Sequence, residues 1–304
     1  MKNIIELSGI TKTFGSVKAV DNLSLEVPRG SIYGFIGPNG SGKTTTIRMI
    51  MKIMYPDKGK LLIDGQETNF ERLKNVGYLP EERGLYKKMK IGELLQFHGE
   101  LNNGTDLPGR IDQWLERLEL RRYKEKKVET LSKGMRQKLQ FIATILHEPE
   151  LIILDEPFSG LDPVNADLMK DIILELQRKG ATIIFSTHDM AMAERMCDYI
   201  FMIYQGKKVL DGTLEDIQDQ YGNDTLRIQS DLGTEALEGL KGIDKVNNFG
   251  KLQEIRLEEG ADPQKTLAEL LKKTRISKFE ITKPSLNDIF IRIASPERKE
   301  AGNE

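Results

Sequence analysis

The sequence has few of the residues from which disulfide frameworks and histidine metal sites are built. It contains one cysteine, Cys197, and three histidines among its 304 residues. A disulfide within the chain is therefore impossible. We expect no metal site from these four side chains, because they are scattered along the sequence. Cys197 is interpreted as a small buried apolar residue.

Long apolar runs and an excess of positive charge are also lacking. Apolar runs such as 141–146 fall far short of the roughly 18 residues that a membrane span needs. The 45 Lys and Arg residues against 47 Asp and Glu give a net charge of -2, which does not favour nucleic acid as the main partner. Residues 1–6 carry an acid where a signal peptide would continue its apolar stretch. With the single cysteine, this predicts a cytosolic chain.

The order of periodic segments predicts two domains. Between 151 and 204, short apolar runs alternate with helical patterns, which predicts a parallel sheet covered on both faces. Residues 91–147 have mostly helical character. A strand-helix-strand-strand-helix-strand order over 222–294 predicts a ferredoxin-like α+β unit. We therefore expect an α/β domain over 1–218, the smaller unit after it, and a frayed tail at 295–304.

A phosphate-binding loop is indicated at residues 37–44, which read GPNGSGKT and match G-x-x-x-x-G-K-[ST] between a predicted strand and a predicted helix. Glycines allow backbone N–H groups to close around phosphate oxygens, and the helix directs its positive end toward them. We predict that Lys43 reaches the β- and γ-phosphates and that the Thr44 hydroxyl ligates Mg²⁺. The predicted nucleotide-binding residues here are Gly37, Pro38, Asn39, Gly40, Ser41, Gly42, Lys43, Thr44 and Thr45.

Two acidic residues follow the apolar run 151–154. A buried strand with this pattern carries Asp155 and Glu156 to the carboxyl edge of the sheet, where open α/β folds bind ligands. We predict that Asp155 holds Mg²⁺ through water and that Glu156 polarises the attacking water. Together with the phosphate loop, this predicts a nucleoside triphosphatase.

Three further motifs make the interpretation more specific. Residues 131–135, LSKGM, resemble the signature motif of ATP-binding cassette (ABC) proteins, and 159–162, SGLD, are similar to their D-loop. His188 resembles the switch histidine of the same proteins. Five ordered motifs on one chain are not expected by accident. Over roughly residues 1–215, the sequence resembles the ATPase subunit of an ABC transporter.

The resemblance extends to a branch of that family. Residues 77–86 and 283–290 are similar to the corresponding segments of the bacterial ABC-2 type or sodium-efflux-like branch. That branch has a small C-terminal domain, which the unit at 222–294 resembles. The resemblance implies a P-loop NTPase core of ABC type with a helical subdomain at about 91–147.

The resemblance also implies ligands, partners and roles. It implies ATP and Mg²⁺, and hydrolysis that powers transport, with export as the direction, through a separate membrane permease. Ser132 and Gly134 would face the nucleotide of a second copy, so a homodimer or heterodimer is required; Asp162 is also expected to bind nucleotide. The chain would lie on the inner face of the cell membrane, and nucleic acid is not an expected partner. The implied catalytic residues are Glu156, His188 and Lys43.

Two departures and one aromatic residue complete the candidate site. Glu81 stands where most family members have the Q-loop glutamine. A carboxylate can still take a Mg²⁺-bound water, so we expect Glu81 at the metal, although it adds negative charge near the γ-phosphate. The signature has Lys133 and Met135 in place of the commoner Gly and Gln. Phe14 either stacks on adenine, as the resemblance implies, or is an ordinary core residue.

Two other classes of function remain open from the sequence. One is a soluble ABC ATPase that acts on ribosomes or DNA. Ribosome-acting members usually carry two cassettes, and DNA-acting members insert long coiled coils; this chain has one set of motifs and no heptads. The other is a nucleotide-dependent regulatory module, which the presence of both Glu156 and His188 disfavours.

Overall fold

A computed structural model describes residues 2–67, 70–82, 84–102, 104–222, 224–231, 233–237, 239–258 and 260–294. The tail predicted at 295–304 lies outside these residues. The chain divides into two units between Thr213 and Leu214.

The first unit contains two β-sheets and a set of helices. Its strands are β1 (Asn3–Phe14), β2 (Val17–Pro28), β3 (Ile32–Ile36), β4 (Lys58–Ile63), β5 (Gln66–Glu67), β6 (Val76–Leu79), β7 (Leu151–Asp155), β8 (Thr182–Thr187), β9 (Tyr199–Tyr204) and β10 (Lys207–Thr213). Its helices are α1 (Lys43–Ile50), α2 (Phe70–Leu73), α3 (Ile91–Leu101), α4 (Leu107–Arg117), α5 (Lys133–Ile145), α6 (Pro163–Arg178) and α7 (Met190–Met196).

The larger sheet has the strand order β10-β9-β3-β8-β7-β6, and the smaller has the order β2-β1-β4-β5. The strands from β9 to β6 are parallel, and β10 pairs antiparallel with β9. Alternate side chains of the larger sheet enter different apolar clusters. Ile152 joins the cluster that includes α3, α5 and α6, whereas Ile153 joins the cluster with the smaller sheet and α1. The predicted α/β core with both faces covered is confirmed.

The parallel direction of three neighbouring strands determines where functional groups can meet. The strands β3, β8 and β7 are adjacent in the sheet, so the segments after Ile36, Thr187 and Asp155 leave at the same edge. These segments contain the phosphate loop, His188 and Glu156. The sheet order thus brings three separate stretches of sequence to one edge.

The segment predicted as helical, 91–147, contains α3, α4 and α5. Short 3₁₀ turns at Arg121–Tyr123 and Val128–Thr130 stand between the last two helices. The apolar residues Leu115, Leu118 and Leu120 in this segment are fully buried. No helix among the described residues combines the length and apolar character needed to cross a bilayer.

The second unit is an antiparallel sheet with helices. Its sheet has the order β12-β13-β11-β14, the arrangement expected of the predicted ferredoxin-like unit. The first of the two predicted helices is, over the described residues, a 3₁₀ turn at Gly233–Leu237. Its elements are α8 (Leu214–Asp219), β11 (Thr225–Ser230), β12 (Ile243–Phe249), β13 (Leu252–Leu257), α9 (Pro263–Lys273), β14 (Ile276–Thr282) and α10 (Leu286–Ala294).

The boundary between the units differs from the expected one. The sequence placed the end of the first domain at residue 218, but the structure assigns all of α8 to the second unit. The reason is that α8 binds the chain before α10: Gln218 Nε2 donates to the Pro284 carbonyl at 2.9 Å, and Lys283 forms an ion pair with Asp219. These contacts join residues more than sixty positions apart, which local patterning cannot reveal.

Two histidines that the sequence left without a role line a cavity of about 340 Å³ in the first unit. The cavity lies between β6, α3 and α5. His98 Nε2, both ring nitrogens of His147, and Gln140 Oε1 are buried and have no hydrogen-bond partner among the described residues. Burial lowers the pKa of both imidazoles, and the neighbouring His98 contributes to lowering that of His147 to about 4. Both rings are therefore neutral at physiological pH.

This lowered pKa predicts a loss of stability in mild acid. The unfolded chain binds a proton at His147 near pH 6.5, whereas the folded chain does so only near 4, so the stability is present above 6.5 and is lost as the pH falls toward 4. We expect a loss of roughly 2 kcal/mol, since one pKa unit corresponds to about 1.4 kcal/mol and part of the ring reaches solvent. His147→Gln should lose less stability between pH 6.5 and 4.5 in urea titrations followed by circular dichroism. Equal slopes for His147→Gln and the parent would contradict the prediction.

Candidate nucleotide-binding site

The phosphate loop between β3 and α1 is pressed against the backbone of neighbouring segments. Gly37 and Gly42 have φ angles of 155° and 113°. A Cβ atom at Gly37 would lie 2.2 Å from the Ile203 carbonyl oxygen, and one at Gly42 would lie 2.5 Å from that of Ala19. These two positions therefore require glycine, because neither the conformation nor the space accepts a side chain.

The Lys43 side chain turns back into this loop. Its Nζ donates to the carbonyl oxygens of Gly37, at 2.6 Å, and Pro38, at 3.1 Å. Burial lowers the pKa of the Lys43 ammonium, while the carboxylates of Glu156, Asp155 and Glu81 act in the opposite direction. A buried cation surrounded by loop backbone is the arrangement that receives phosphate oxygens.

A cavity of about 350 Å³ brings together most of the predicted loop residues and two predicted carboxylates. Its lining residues are Ala19, Asn39, Gly40, Gly42, Lys43, Thr44, Thr45, Glu81 and Glu156. Gly37 and Pro38 do not line the cavity themselves, but their carbonyls accept hydrogen bonds from Lys43, which does. The carbonyl of Ser41, the remaining loop residue, accepts a hydrogen bond from the Gly206 N–H at 2.9 Å. The cavity is thus lined by the Lys43 cation, loop backbone and two carboxylates.

Asp155 ends β7 as a completely buried carboxylate. Its Oδ1 accepts a hydrogen bond from the Ser186 hydroxyl on β8, while its Oδ2 has no partner among the described residues. A buried carboxylate oxygen without a partner is costly unless a cation or water satisfies it. Thr44 and Glu81 line the cavity, whereas Asp155 is not among its lining residues. Hydroxyl and carboxylate oxygens such as those of the three residues are the donors that Mg²⁺ prefers.

Glu156 and His188 form a pair at this edge. Glu156 has a φ of 50°, a left-handed conformation that non-glycine residues adopt at a cost of roughly 1–3 kcal/mol and that clusters at functional sites. Its backbone N–H donates to the Ser186 carbonyl at 3.1 Å. His188 Nδ1 donates to Glu156 Oε1 at 2.8 Å, and 61% of the His188 side chain is exposed. The imidazole is therefore oriented by the carboxylate but remains open to a ligand.

The signature and D-loop residues lie in a separate group. Ser132 caps α5 by accepting from the Met135 N–H at 3.3 Å, and Asp162 caps α6. A Cβ atom at Gly134 would lie 3.6 Å from the Gly160 carbonyl oxygen, so the two motifs contact each other. Ser132, Gly134 and Asp162 do not line the cavity at Lys43.

Phe14 is not an ordinary core residue. Its side chain is 48% exposed, and the Lys12 ammonium lies 5.8 Å from the ring centroid. The alternative of a buried Phe after a strand is therefore wrong. Phe14 is also not among the residues that line the cavity, so adenine stacking stays a prediction.

Two residues of the site were not singled out from the sequence. The backbone carbonyl of Ala19 approaches the phosphate loop at Gly42. Every residue has such a carbonyl, so nothing in the sequence marks this one. Ser186 contacts both acidic residues, and its position opposite Asp155 in the β7–β8 pairing is the signal that could have found it. Finding it from sequence requires the register of two strands that lie about thirty residues apart.

Gly42 and Gly40 provide a matched test of the close packing of the phosphate loop. Gly42→Ala should displace the loop and lower the affinity for a fluorescent ATP analogue by about 10-fold or more, which corresponds to ~1.4 kcal/mol. Gly40 has a φ of 77°, and a Cβ atom there would meet no other atom within 4 Å, so Gly40→Ala should cost only about 1–2 kcal/mol of stability and retain binding. Thermal unfolding would separate a loss of stability from a loss of nucleotide affinity. Equal nucleotide affinities for both variants would contradict the proposed crowding at Gly42.

Comparisons with known proteins agree with this geometry. Residues 20–159 match the family described as ABC transporter, and residues 212–294 match the C-terminal domain of ATP-binding protein DrrA1-3-like proteins. The chain is 40% identical over 290 residues to the ABC transporter ATP-binding protein YhaQ of Bacillus subtilis, covering 95% of this chain and 97% of YhaQ.

A second relative and a solved structure extend the comparison. The chain is 37% identical over 211 residues to the bacitracin transport ATP-binding protein BcrA of Bacillus licheniformis, covering 68% of this chain and 69% of BcrA. A solved ATP-binding subunit of an ABC transporter superposes with a TM-score of 0.69 at 32% identity, covering 72% of this chain and 93% of that one. The chain therefore belongs to the ATP-binding subunits of ABC transporters, ATPases that power transport, and it carries a DrrA-like C-terminal domain.

Proposed function

We propose that the chain hydrolyses Mg²⁺-bound ATP at the cavity around Lys43 and thereby drives export through a separate membrane permease, from the inner face of the cell membrane. The observation that carries the proposal is the Glu156–His188 pair, whose carboxylate lines the same cavity as the phosphate loop. ATP-binding subunits of this family work with membrane permeases, which supports the partner. The relative BcrA is named for bacitracin transport, which supports a role in moving a compound across the membrane.

The residues of the cavity divide the chemistry between them. Phosphoryl transfer to water depends on positioning and on neutralising charge. The Lys43 ammonium and the loop amides bind the β- and γ-phosphates. Glu156 accepts a hydrogen bond from the attacking water and takes its proton, while His188 Nε2 is directed toward the γ-phosphate by the bond that Nδ1 makes to Glu156. ADP and inorganic phosphate are the products.

The donor set also fits Mg²⁺. Asp155, Thr44 and Glu81 would hold the ion, directly or through water, and Asp155 offers a buried oxygen without a protein partner among the described residues. When bound, the ion neutralises charge on the β- and γ-phosphates. Glu81 in place of a glutamine adds a formal charge to this set, which Lys43 partly offsets.

We propose that a second ATPase subunit completes each site. Ser132, Gly134 and Asp162 do not line the cavity of their own chain, so they are available to nucleotide bound by another copy. The hydroxyl of Ser132 and the backbone at Gly134 stand at the start of α5, where the helix dipole favours an anion. Two subunits arranged head to tail would hold two ATP molecules between them, each with Phe14 beside the adenine.

Glu156→Gln tests the catalytic assignment. The amide can still accept the His188 hydrogen bond, so the shape of the site is kept, but it cannot take a proton. We expect ATP hydrolysis, measured as phosphate release, to fall by about 10²–10⁴-fold, with ATP affinity retained. The variant should accumulate as an ATP-bound dimer on a sizing column. Unchanged turnover would remove Glu156 from the mechanism.

Adding Ser132→Arg to that variant tests the shared site. The substitution should leave ATP binding by the monomer intact and should abolish the dimer peak, because Ser132 serves the partner's nucleotide. Loss of ATP binding in the monomer would show that Ser132 belongs to the site of its own chain, which would overturn the head-to-tail arrangement.

The segment after Glu81 is the proposed contact with the permease, because it connects the cavity to α3. Tyr86 is 57% exposed, and its ring packs edge-on at 5.9 Å against Phe97, which is also exposed. Leu101 is exposed one helical turn beyond Phe97. Leu85 is instead half-buried and packs against the apolar core, so Tyr86, Phe97 and Leu101 form the exposed apolar patch. Exposed aromatic side chains of this kind are typical anchors of protein interfaces.

Replacing Tyr86 and Phe97 by Ala should uncouple the subunit from its permease. We expect association in a co-purification assay to weaken by about 10-fold or more, the effect of losing a ~2 kcal/mol anchor, with basal hydrolysis and ATP affinity kept. Tyr55→Ala, at another tyrosine that is 64% exposed, is the matched control and should associate normally. Normal association of the double variant would place the contact elsewhere.

A further inference from the structure

Helix α5, which begins beside the signature serine, carries a buried lysine. Lys138 is only 5% exposed, and its Nζ donates to Asn165 Oδ1 at 2.9 Å. This hydrogen bond goes to a neutral amide and not to a carboxylate. Burial lowers the pKa of the ammonium, while the more distant carboxylates of Glu119 and Asp162 act in the opposite direction. A buried cation held by an amide is costly for stability, so an apolar residue would fill this position at lower cost.

The amide that Lys138 holds controls the D-loop aspartate. Asn165 Nδ2 donates to Asp162 Oδ2 at 2.5 Å, and the Asn165 backbone N–H donates to Asp162 Oδ1 at 3.0 Å. Both carboxylate oxygens of Asp162 are thus bound by one residue. Because Lys138 fixes the orientation of the Asn165 amide, with its oxygen toward the ammonium and its NH₂ toward Asp162, the three side chains form a directional chain.

A second contact runs beside this chain. Gln137 is 3% exposed and donates through Nε2 to the Pro157 carbonyl at 2.8 Å, at the beginning of the segment that leads to the D-loop. Consecutive residues of α5 therefore hold residues 157 and 165, the two ends of this segment. The start of α5 and the segment 157–165 are joined as one body.

We propose that Lys138 is a positioning residue that, through Asn165, fixes the Asp162 carboxylate relative to Ser132, so that both are presented in one geometry to the nucleotide of a second subunit. The inference rests on the head-to-tail arrangement proposed above. Lys138 itself would touch neither substrate nor metal. Its loss should therefore lower the rate of hydrolysis and the affinity between subunits without changing ATP binding by the monomer.

Lys138→Met in the Glu156→Gln background is the direct test. We expect the ATP concentration needed for half-maximal dimer on a sizing column to rise by about 10-fold, or ~1.4 kcal/mol, while the affinity of the monomer for a fluorescent ATP analogue stays that of the parent. Lys138→Arg should restore the dimer, because a guanidinium can still donate to Asn165. Lys170→Met, which removes an ion-paired lysine on the surface of α6, is the control and should dimerise like the parent.

Asn165→Asp separates positioning from stability. The new carboxylate would pair with Lys138 and support the fold, but it cannot donate to Asp162 and would repel it. We expect an unfolding temperature at or above that of the parent together with the dimerisation defect of Lys138→Met. In the background with Glu156 intact, both variants should lower kcat and raise the KM for ATP, because hydrolysis requires the dimer whose formation they weaken.

The outcomes distinguish the inference from the proposal on which it rests. Normal dimerisation and kcat in Lys138→Met or in Asn165→Asp would overturn the inference and leave the head-to-tail arrangement standing. A loss of monomer ATP affinity in Lys138→Met that Lys138→Arg does not restore would also overturn it. If Glu156→Gln alone formed no ATP-dependent dimer, the head-to-tail arrangement would fail, and the inference with it.

Discussion

A buried carboxylate at the end of strand β7 determines the geometry of the whole site. Asp155 is excluded from solvent and depends on the Ser186 hydroxyl of the adjacent strand for one of its oxygens. The backbone N–H of Glu156 donates to the carbonyl oxygen of the same serine and also to its hydroxyl oxygen, which lies 3.3 Å from the Glu156 nitrogen. One residue of β8 therefore holds both acidic residues, and the next two positions lead directly to His188. The pairing of β7 with β8 is the constraint from which the proposed catalytic geometry follows.

The sequence predicted the parts of the site that short local patterns encode. The phosphate loop, the acidic residues after β7 and the alternation of strands and helices each depend on neighbouring residues, and the fold confirms the alternation. Ser186, Ala19 and Asn165 could not be predicted in the same way, because their roles depend on strand register or on side chains that meet across a helix pair. The predicted domain boundary and the division of the structure differ by one short helix for a similar reason: α8 is held by contacts to Lys283 and Pro284.

Charge balance explains why a chain with Glu81 can keep a functional phosphate loop. Lys43 is buried, which destabilises its charged form, and three carboxylates counteract that effect. A triphosphate brings strong negative charge to the same place, and a third carboxylate would oppose it unless a divalent cation were present. On the proposed assignment, the additional charge at Glu81 should make nucleotide binding more dependent on Mg²⁺ than a glutamine would, since the cation would relieve repulsion between the phosphates and Glu81.

The candidate residues fall into two groups, and each group is bound together internally. Around the cavity, Lys43 is tied to the phosphate loop and His188 to Glu156. Around the signature, α5 is tied to the segment 157–165 by Gln137 and Lys138. On the proposed arrangement neither group completes an ATPase site alone, so hydrolysis requires two subunits to meet. Rigid connection within each group then matters more than flexibility, because misplacing one contact at such an interface by about 1 Å can cost about 10²-fold in rate.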